Sequence, residues 1–251
     1  IDPSKSYIEN VVNTVKVAEY ATKIGCRKII FLSSGAIYEN DLSFPSHERD
    51  HLKTSLVYPT SKMCAEHALN SYSRSYGLST YALRLFNLYG PRQDYFRKHP
   101  PLIGYLLKCI FQDEVATLFS DGRQQRDYVY IDDLARIIMQ LLKNNHDRIG
   151  LTALNVGSGI AHSVNEIVEL LSDISGKEII INRKDSTKFW HKYASIFERK
   201  YPLDVNIIKK EVNKYTLSDN RYLKEITNLS CSTSMRNGLE ECYYYAKKYF
   251  L

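Results

Sequence analysis

Apolar residues recur every three to four positions along the first part of the chain, which is the spacing of one helix face. The positions that carry this pattern are Ile8, Val11, Val12, Val15, Ala18 and Ala21. Asp2 and Pro3 suit the start of a helix, and Gly25 suits its end. A short apolar run from Lys28 to Leu32 follows. Such a run predicts a parallel strand that is covered on both faces.

The alternation of helix and strand continues after a polar loop. A second helix is predicted from Tyr58 to Gly77. Its apolar side carries Met63, Ala65, Leu69 and Tyr72. The run from Thr80 to Leu85 predicts the next strand. Helices that alternate with short apolar strands are typical of a parallel α/β sheet.

The second half of the chain predicts a less regular series of elements. We expect a turn, a strand and the start of a helix between residues 120 and 135. Further helices are expected near 102–111, 163–176, 219–226 and 234–249, and strands near 115–118, 153–156 and 178–181. Ser163 and Glu166 have the spacing of a capping box. Asp132 and Asp133 are interpreted as a helix cap. Residues 185–213, around Trp190, are basic and aromatic and are interpreted as an insertion.

The composition is that of an ordinary globular protein with one large domain or two small ones. The 251 residues are 44% hydrophobic and 25% charged. The formal net charge is +6, but the basic residues are scattered along the chain. This argues against nucleic acid as the partner, and a site for anionic phosphates explains the surplus equally well.

The apolar stretches, cysteines and histidines do not indicate a membrane, disulfide or metal protein. No apolar run approaches the roughly 18 residues of a membrane span, and the first residues do not resemble a signal peptide. The five cysteines lack disulfide or metal spacing, and the seven histidines lack ligand spacing. We therefore expect a cytoplasmic protein with reduced thiols, no membrane partner and no metal site.

The clearest candidate chemistry lies in the segment Tyr58-Pro59-Thr60-Ser61-Lys62. Tyr58 and Lys62 are four residues apart in a predicted helix, so a phenol and an ammonium share one face. Ser34 lies just past the apolar run that predicts the strand before this helix. A strand-end hydroxyl beside a tyrosine and a lysine can remove a proton from a sugar hydroxyl while a nicotinamide takes the hydride.

The same tyrosine and lysine spacing occurs twice more near the C-terminus. Tyr243 precedes Lys247 by four residues, and Tyr244 precedes Lys248. Chance matches are expected in a chain with 20 tyrosines. Because the C-terminal copies have no strand-end serine before them, a packing face with solvated lysines is their better interpretation.

A series of motifs resembles those of one enzyme family. In chain order they are Ser33-Ser34-Gly35-Ala36-Ile37-Tyr38, Tyr58-Pro59-Thr60-Ser61-Lys62, Leu83-Arg84-Leu85-Phe86-Asn87-Leu88-Tyr89-Gly90-Pro91, Gln125-Arg126-Asp127-Tyr128 with Tyr130-Ile131-Asp132-Asp133, and Asn155-Val156-Gly157-Ser158-Gly159. Their content and order resemble the extended short-chain dehydrogenase/reductases, in particular the NAD-dependent nucleotide-sugar epimerase/dehydratase family. The resemblance implies an α/β fold, with a Rossmann-like parallel sheet that holds NAD and a smaller C-terminal α/β region that binds a nucleotide-diphosphate sugar.

The resemblance assigns roles to the Tyr58 helix and to the strand before it. Tyr58 would be the catalytic base. Lys62 would bind the nicotinamide ribose and stabilise the tyrosine phenolate by its charge. Ser34 would bind the reacting sugar oxygen and help to move its proton. Ser33 would be a strand-end hydroxyl that bonds the backbone near the cofactor.

Further residues match cofactor and substrate contacts of the family. Asn10 and Leu85 match cofactor contacts, and Asn87 matches a contact to the sugar diphosphate. Arg126 matches a diphosphate-binding arginine, whose fork suits phosphate oxygens, although an ion pair with the next residue is the alternative. Lys209 stands where the family usually carries an arginine for the second phosphate.

The glycine-rich NAD loop of the family has no counterpart in this sequence. We therefore expect the chain to be the C-terminal part of a larger enzyme, with the first strands of the Rossmann sheet missing, and to bind NAD poorly on its own. The expected Rossmann part comprises residues 1–90 and 126–157. Residues 91–125 and 158–251 are the expected substrate-binding region.

The residues after Ser34 narrow the expected reaction. Sugar dehydratases of this family place an Asp-Glu pair there, whereas this chain has Gly35 and Ala36, which cannot move a proton. Epimerisation through a keto-sugar intermediate therefore fits best. The alternatives are a nucleotide-sugar reductase, dehydratase or decarboxylase of the same family, or a non-catalytic scaffold protein.

We also expect a homodimer through residues 4–24 and 58–76.

Overall fold

The N-terminal helix contains a wide turn that the sequence pattern does not predict. The computed structural model describes residues 3–39, 43–97, 100–144, 148–185, 206 and 212–250. In it, helix α1 (Pro3–Tyr7) and helix α2 (Asn13–Lys23) are joined by a π-helical turn, Ile8–Val12. Such turns bulge a helix locally, so the side chains of Ile8–Val12 project differently from those of a regular helix.

Three parallel strands form the sheet that carries the candidate site. Strands β1 (Lys28–Ser34), β2 (Ser79–Leu85) and β6 (Gly150–Val156) lie in the order β1-β2-β6. All three run parallel and in register, so their last residues lie in one row across the sheet. This sheet, with its covering helices, confirms the predicted α/β class.

Helix α3 (Val57–Tyr76) connects β1 to β2 and carries the Tyr58 segment. It packs on all three strands of the sheet, and Ala65 and Leu69 on its inner face are buried. Gly77 ends the helix with a φ of +71°, a left-handed conformation that glycine adopts without strain. Helix α5 (Ile131–Lys143) leads towards β6, and helix α7 (Arg221–Thr227) packs beside β6.

The remaining elements form a second group of short strands and helices. The strands are β3 (Asn87–Tyr89), β4 (Ala116–Leu118), β5 (Gln125–Tyr130), β7 (Ala161–Ser163) and β8 (Ile181–Arg183). One sheet has the order β3-β5-β7 and another pairs β4 with β8. The helices are α4 (Leu102–Gln112), α6 (Val164–Ser175) and α8 (Met235–Phe250). The predicted capping box at Ser163 and Glu166 is present at the start of α6.

The chain divides into two units at positions that differ from the expected domain boundaries. The first unit comprises Ile1–Leu88, Ile131–Ile160 and Leu217–Ser232, and the second Tyr89–Tyr130, Ala161–Thr216 and Thr233–Leu251. Residues 126–130 belong to the second unit because β5 pairs with β7 there. Residues 217–232 belong to the first because Ser218 forms a bridge with Ser46.

Several local predictions need correction. The strand expected at 178–181 lies at Ile181–Arg183, and the short strands β3 and β7 were not predicted. Asp132 and Asp133 lie inside the first turn of α5 instead of capping it, and the Asp133 carboxylate accepts a hydrogen bond from Arg136. The interpretation of 185–213 as an insertion falls almost wholly outside the described residues. Among the described helices, none has a stretch both long and apolar enough to cross a bilayer.

Substitutions on the buried and the exposed face of α3 should differ in their effect on stability. Leu69 is 1% exposed, so we expect Leu69→Ala to lower the free energy of unfolding by about 2–5 kcal/mol through the cavity it leaves. His67→Ala, at an exposed position of the same helix, should change it by less than about 0.5 kcal/mol. Urea unfolding measures both variants. Equal losses would contradict the described orientation of α3.

Candidate active site

The carboxyl ends of the three parallel strands bring the predicted residues of β1 and β2 into one row. Ser34 is the register partner of Leu85, and Leu85 is the partner of Val156. Ligands of open α/β sheets bind beyond this edge. Ser34 also caps a 3₁₀ turn, Gly35–Tyr38, where its Oγ accepts the Ala36 N–H at 3.2 Å.

Helix α3 presents Tyr58 and Lys62 on one face beside this edge. The Tyr58 side chain is 48% exposed. The Lys62 ammonium donates a hydrogen bond to the Leu32 carbonyl at 3.0 Å and lies 5.0 Å from the centre of the Phe31 ring. Since Leu32 is two residues before Ser34, this bond holds the lysine against the strand that ends in the candidate hydroxyl.

The electrostatic environment of Lys62 has two opposing parts. Partial burial lowers the pKa of the Lys62 ammonium, because burial penalises the charged form. The negative charge of Glu66, one turn further along α3, acts in the opposite direction and raises this pKa. The pKa of Lys62 is therefore lowered by burial, and the Glu66 charge limits this lowering.

Asn10, in the π-helical turn, is linked through Ser61 to the backbone of Tyr58. Its Nδ2 donates to Ser61 Oγ at 3.0 Å, and Ser61 Oγ donates to the Tyr58 carbonyl at 2.8 Å. Ser61 is fully buried. The chain of bonds ties the N-terminal helix to the first turn of α3. A cofactor contact by Asn10 stays a prediction.

A buried row of polar side chains lies one residue behind the strand ends. Ser33, Arg84 and Asn155 are register partners across β1, β2 and β6. Their exposed fractions are 4%, 5% and 0%. Buried polar groups need hydrogen-bond partners, and each member of this row has them.

Glu66 is the partner of two members of this row. Ser33 Oγ donates to Glu66 Oε1 at 2.5 Å, so the prediction that Ser33 bonds the backbone is wrong. Arg84 donates from Nη2 to Glu66 Oε2 at 2.8 Å and from Nε to Oε1 at 3.2 Å. Burial opposes the Arg84 charge, but the bonds to Glu66 outweigh it and raise the pKa of Arg84. Arg84 and Glu66 therefore form an ion pair joined by two hydrogen bonds.

Tyr38 connects Arg84 to Asn155. Its hydroxyl accepts from Arg84 Nη1 at 2.7 Å and donates to Asn155 Oδ1 at 2.8 Å. Burial raises the pKa of the Tyr38 phenol well above its ordinary value, so the phenol keeps the proton that it donates. Asn155 Nδ2 donates to the carbonyls of Ser46 at 2.9 Å and Asp219 at 3.3 Å. The network thus fixes loops as well as strands.

Gly35 allows a close approach behind Ser34. A Cβ atom at this position would lie 3.2 Å from the Phe86 ring, tighter than ordinary van der Waals contact. Phe86 in turn stacks on Tyr38 with ring centres 6.3 Å apart. A larger residue after Ser34 would therefore have to displace a packed ring.

The predicted substrate contacts are placed as follows. Asn87 is half-buried at the start of β3, and Arg126 is half-buried on β5, where its Nη1 donates to the Gln125 carbonyl at 3.2 Å. Lys209 lies outside the described residues. The roles of all three stay predictions.

The C-terminal copies of the tyrosine and lysine spacing lie on α8 in the second unit. Tyr243 stacks on Phe111 with ring centres 5.3 Å apart, and Tyr244 is 57% exposed beside it. Lys247 and Lys248 are exposed. This arrangement is that of a packing face with solvated lysines.

Sequence reasoning missed the supporting residues Glu66, Arg84 and Asn155. The sequence contains one signal for Arg84 and one for Glu66. Arg84 is a charged residue inside an apolar strand, and Glu66 continues the four-residue spacing of Tyr58 and Lys62. A charged residue at a core position requires an opposite charge nearby.

Two curated relatives align with much of this chain. A putative UDP-glucose 4-epimerase of Methanocaldococcus jannaschii is 31% identical over 163 residues, which cover 64% of this chain and 52% of that protein. A UDP-glucuronate 4-epimerase of Thermodesulfobacterium geofontis is 29% identical over 243 residues, which cover 95% of this chain and 65% of that protein. The chain thus spans about half to two thirds of the length of these relatives.

Solved structures of the same kind superpose on the chain. UDP-glucose 4-epimerase from Thermotoga maritima, with UDP-glucose, has a TM-score of 0.81 at 27% identity and matches 100% of this chain and 73% of its own. UDP-glucuronic acid 4-epimerase from Bacillus cereus, with UDP-glucuronic acid and NAD, has a TM-score of 0.77 at 27% identity, covering 96% of this chain and 68% of its own.

The family match itself covers the candidate site. The sequence model of the NAD dependent epimerase/dehydratase family matches residues 1–157. This span is more than half of the 251-residue chain and contains Ser34, Tyr58 and Lys62. The chain therefore belongs to the NAD dependent epimerase/dehydratase family.

Proposed function

We propose that this chain carries the proton-transfer part of an NAD-dependent epimerase that acts on a nucleotide-diphosphate sugar. The observation that carries the proposal is the bond from Lys62 to the strand that ends in Ser34, with Tyr58 exposed one turn earlier on the same helix. The substrate class is supported by the relatives, which are named as UDP-sugar 4-epimerases, and by the UDP sugar and NAD in the B. cereus structure.

The described residues fit a nicotinamide cofactor at this edge. The Lys62 ammonium has three N–H donors and uses one on the Leu32 carbonyl, so it can also bind ribose hydroxyls. NAD, when bound, supplies reversible acceptance of a hydride from the sugar. Asn10 and Leu85 are further proposed contacts. Ser33 is not among the proposed cofactor contacts, because its hydroxyl is buried and donates its proton to Glu66.

The protein residues would handle the proton and orient the sugar. Tyr58 takes the proton from the hydroxyl at the reacting carbon and returns it after the keto sugar has turned over. Ser34 Oγ accepts the Ala36 N–H, which leaves its O–H to donate to the same sugar oxygen. Lys62 stabilises the phenolate of Tyr58 by its charge. Asn87 and Arg126 are proposed contacts to the diphosphate.

Epimerisation is favoured over dehydration by the packing behind Ser34. Elimination of water needs an acid and a base near the sugar, and Gly35 and Ala36 supply neither. The Phe86 ring leaves little room for a side chain at position 35. The site is therefore built for proton removal at one hydroxyl.

Tyr58→Phe tests the catalytic assignment. It removes the acid and base hydroxyl, so we expect kcat to fall by about 10²–10⁴-fold in the NAD-saturated natural protein. The assay is interconversion of UDP-glucose with UDP-galactose and of the two matching UDP-uronic acids, followed by chromatography. Tyr243→Phe, in the C-terminal copy of the spacing, is the matched control and should keep wild-type turnover. The assignment fails if Tyr58→Phe also keeps it.

The alternative functions give different results in the same protein. A sugar reductase would consume NADH as substrate is consumed, and a decarboxylase would release CO2, whereas an epimerase leaves the amount of NADH constant and releases no CO2. A non-catalytic scaffold would take up no NAD in calorimetry and would turn over none of these sugars.

We further propose that two copies of the chain associate through the N-terminal helix and α3. Val17 and Tyr20 on α2 are 61% and 65% exposed, and Ile24, which caps the end of α2, is 58% exposed. Their spacing puts them on one side of the helix. The preceding π-helical turn adds Ile8 at 52% and Val12 at 45%. An apolar stripe of this kind is typical of an interaction surface.

Charges on this stripe should separate the copies. We expect wild-type protein to have twice the chain mass in light scattering, and Val17→Glu with Tyr20→Glu to have the chain mass, because the charges would be buried in the dimer. Tyr244→Glu on α8, where the tyrosine is 57% exposed, is the control and should stay dimeric. A monomeric wild type would contradict the proposal.

A cytoplasmic location is supported by the cysteines. All five are free, and Cys26 is exposed while Cys64 is half-buried. Exposed thiols persist in reducing compartments.

A further inference from the structure

Glu66 continues the face of α3 that carries the candidate site. Tyr58, Lys62 and Glu66 are spaced by four residues, so they follow one another along the helix. Their exposure falls along this series, from 48% for Tyr58 through the half-buried Lys62 to 5% for Glu66. The stripe therefore runs from the substrate edge into the core.

The two inner residues of this stripe attach α3 to β1 at adjacent strand positions. Lys62 bonds the Leu32 carbonyl at 3.0 Å, and Glu66 accepts from Ser33 Oγ at 2.5 Å. Ser34, the candidate hydroxyl, is the next residue of the strand. A slip of α3 along β1 would break both bonds, so together they fix where Lys62 and Tyr58 stand relative to Ser34.

Arg84 keeps the Glu66 carboxylate in place. Its two bonds to Glu66, at 2.8 and 3.2 Å, engage both carboxylate oxygens. Ser33 adds a third bond to Oε1. A carboxylate held by three donors in a buried site has one orientation, so its charge is fixed behind Lys62.

We propose that Glu66 is a positioning residue of the candidate site, which sets the register of α3 on β1 and holds its carboxylate behind Lys62. This inference rests on the proposed function. Glu66 would not touch the substrate. It would act through Lys62 and through Ser33, the neighbour of Ser34.

Several groups surround Lys62, and Glu66 is the negatively charged one among them. Strand β1 offers Lys62 a carbonyl and the Phe31 ring. The N-terminal helix contacts α3 next to Lys62 through the neutral side chains of Ser6 and Asn10. On α3 itself the titratable neighbours are Tyr58 and Glu66, and on β2 the Arg84 guanidinium is paired with Glu66 at 2.8 Å. Among these groups, Glu66 is the charge that raises the Lys62 pKa against the effect of burial.

A purely structural role for Glu66 predicts a different result. Removing one partner of any buried ion pair destabilises a protein, so loss of stability or of activity alone does not identify a positioning residue. The decisive readout is the protonation of Lys62. It responds to the Glu66 charge and does not respond to a general loss of stability.

The experiment measures the pH midpoint of Lys62 reactivity in the folded natural protein. Trace acetylation with acetic anhydride at a series of pH values, followed by mass spectrometry, reports Lys62 separately from other lysines. In Glu66→Gln we expect the midpoint to fall by about one pH unit, which makes the unprotonated amine about tenfold more abundant at neutral pH. Leu69→Ala, a destabilising change in the same helix, should leave the midpoint unchanged. An unchanged midpoint in Glu66→Gln overturns the proposal.

Two further variants keep the test decisive. Should Glu66→Gln not fold, the double variant Glu66→Gln with Arg84→Gln leaves no unpaired buried charge. Because it also removes the Arg84 cation, it should lower the midpoint by less than Glu66→Gln would. If its midpoint equals that of wild type, the proposal is overturned. Glu66→Asp keeps the charge and should keep the wild-type midpoint.

Activity gives an independent readout. In the UDP-sugar assay we expect Glu66→Gln to lower kcat by about 10–100-fold with KM within about twofold, since the geometry of proton transfer changes and the substrate contacts do not. Glu66→Asp should recover part of kcat. If wild-type protein turns over no nucleotide sugar, the proposed function fails, while the acetylation midpoints still decide the role of Glu66.

Discussion

The guanidinium of Arg84 and the carboxylate of Glu66 meet at 2.8 Å with both side chains only 6% exposed. Taking two charges out of water costs several kcal/mol per ion unless geometry and further hydrogen bonds compensate. Here both carboxylate oxygens are engaged, and Arg84 also bonds the Tyr38 hydroxyl and the Glu48 carbonyl. Because these bonds have directions, the ion pair fixes the positions of the elements that contribute to it.

Those elements are the ones that form the candidate site. Glu66 belongs to the helix of Tyr58 and Lys62, and Arg84 belongs to the strand that ends in Leu85. Tyr38 closes the 3₁₀ turn that Ser34 begins. The hydrogen bonds of the polar row of Ser33, Arg84 and Asn155 therefore help to fix the positions of the strand ends, which lie one residue further on. An apolar core at this level would pack as well, but it would not specify the register of α3 on β1 in the same way.

Much of this could be predicted from the sequence where the signal is local. The spacing of apolar residues predicted β1 and α3, Gly77 predicted the end of α3, and Ser163 with Glu166 predicted a capping box. The roles proposed for Ser34, Tyr58 and Lys62 come from motif order and stay predictions. The polar row could not be predicted, because Ser33, Arg84 and Asn155 become neighbours only through strand register. The π-helical turn at Ile8–Val12 leaves no clear mark in the apolar pattern.

The boundaries of the two units also depend on pairings between distant parts of the chain, which the sequence pattern does not predict. Residues 126–130 were expected with the Rossmann part, yet the antiparallel pairing of β5 with β7 assigns them to the second unit. Asn155 contacts the Asp219 carbonyl, and pairings over such sequence distances have no local signal. The order of the motifs is visible in the sequence, whereas the hydrogen bonds that join them are visible only in the fold.

In the proposed mechanism, Tyr58 and Ser34 act on one sugar hydroxyl. A crystal structure of the natural protein with NAD and UDP-glucose tests it most directly. We expect the Tyr58 and Ser34 hydroxyls both to lie within about 3.2 Å of the same sugar hydroxyl, the reach of a general base. A sugar bound with its ring hydroxyls away from both residues would contradict it.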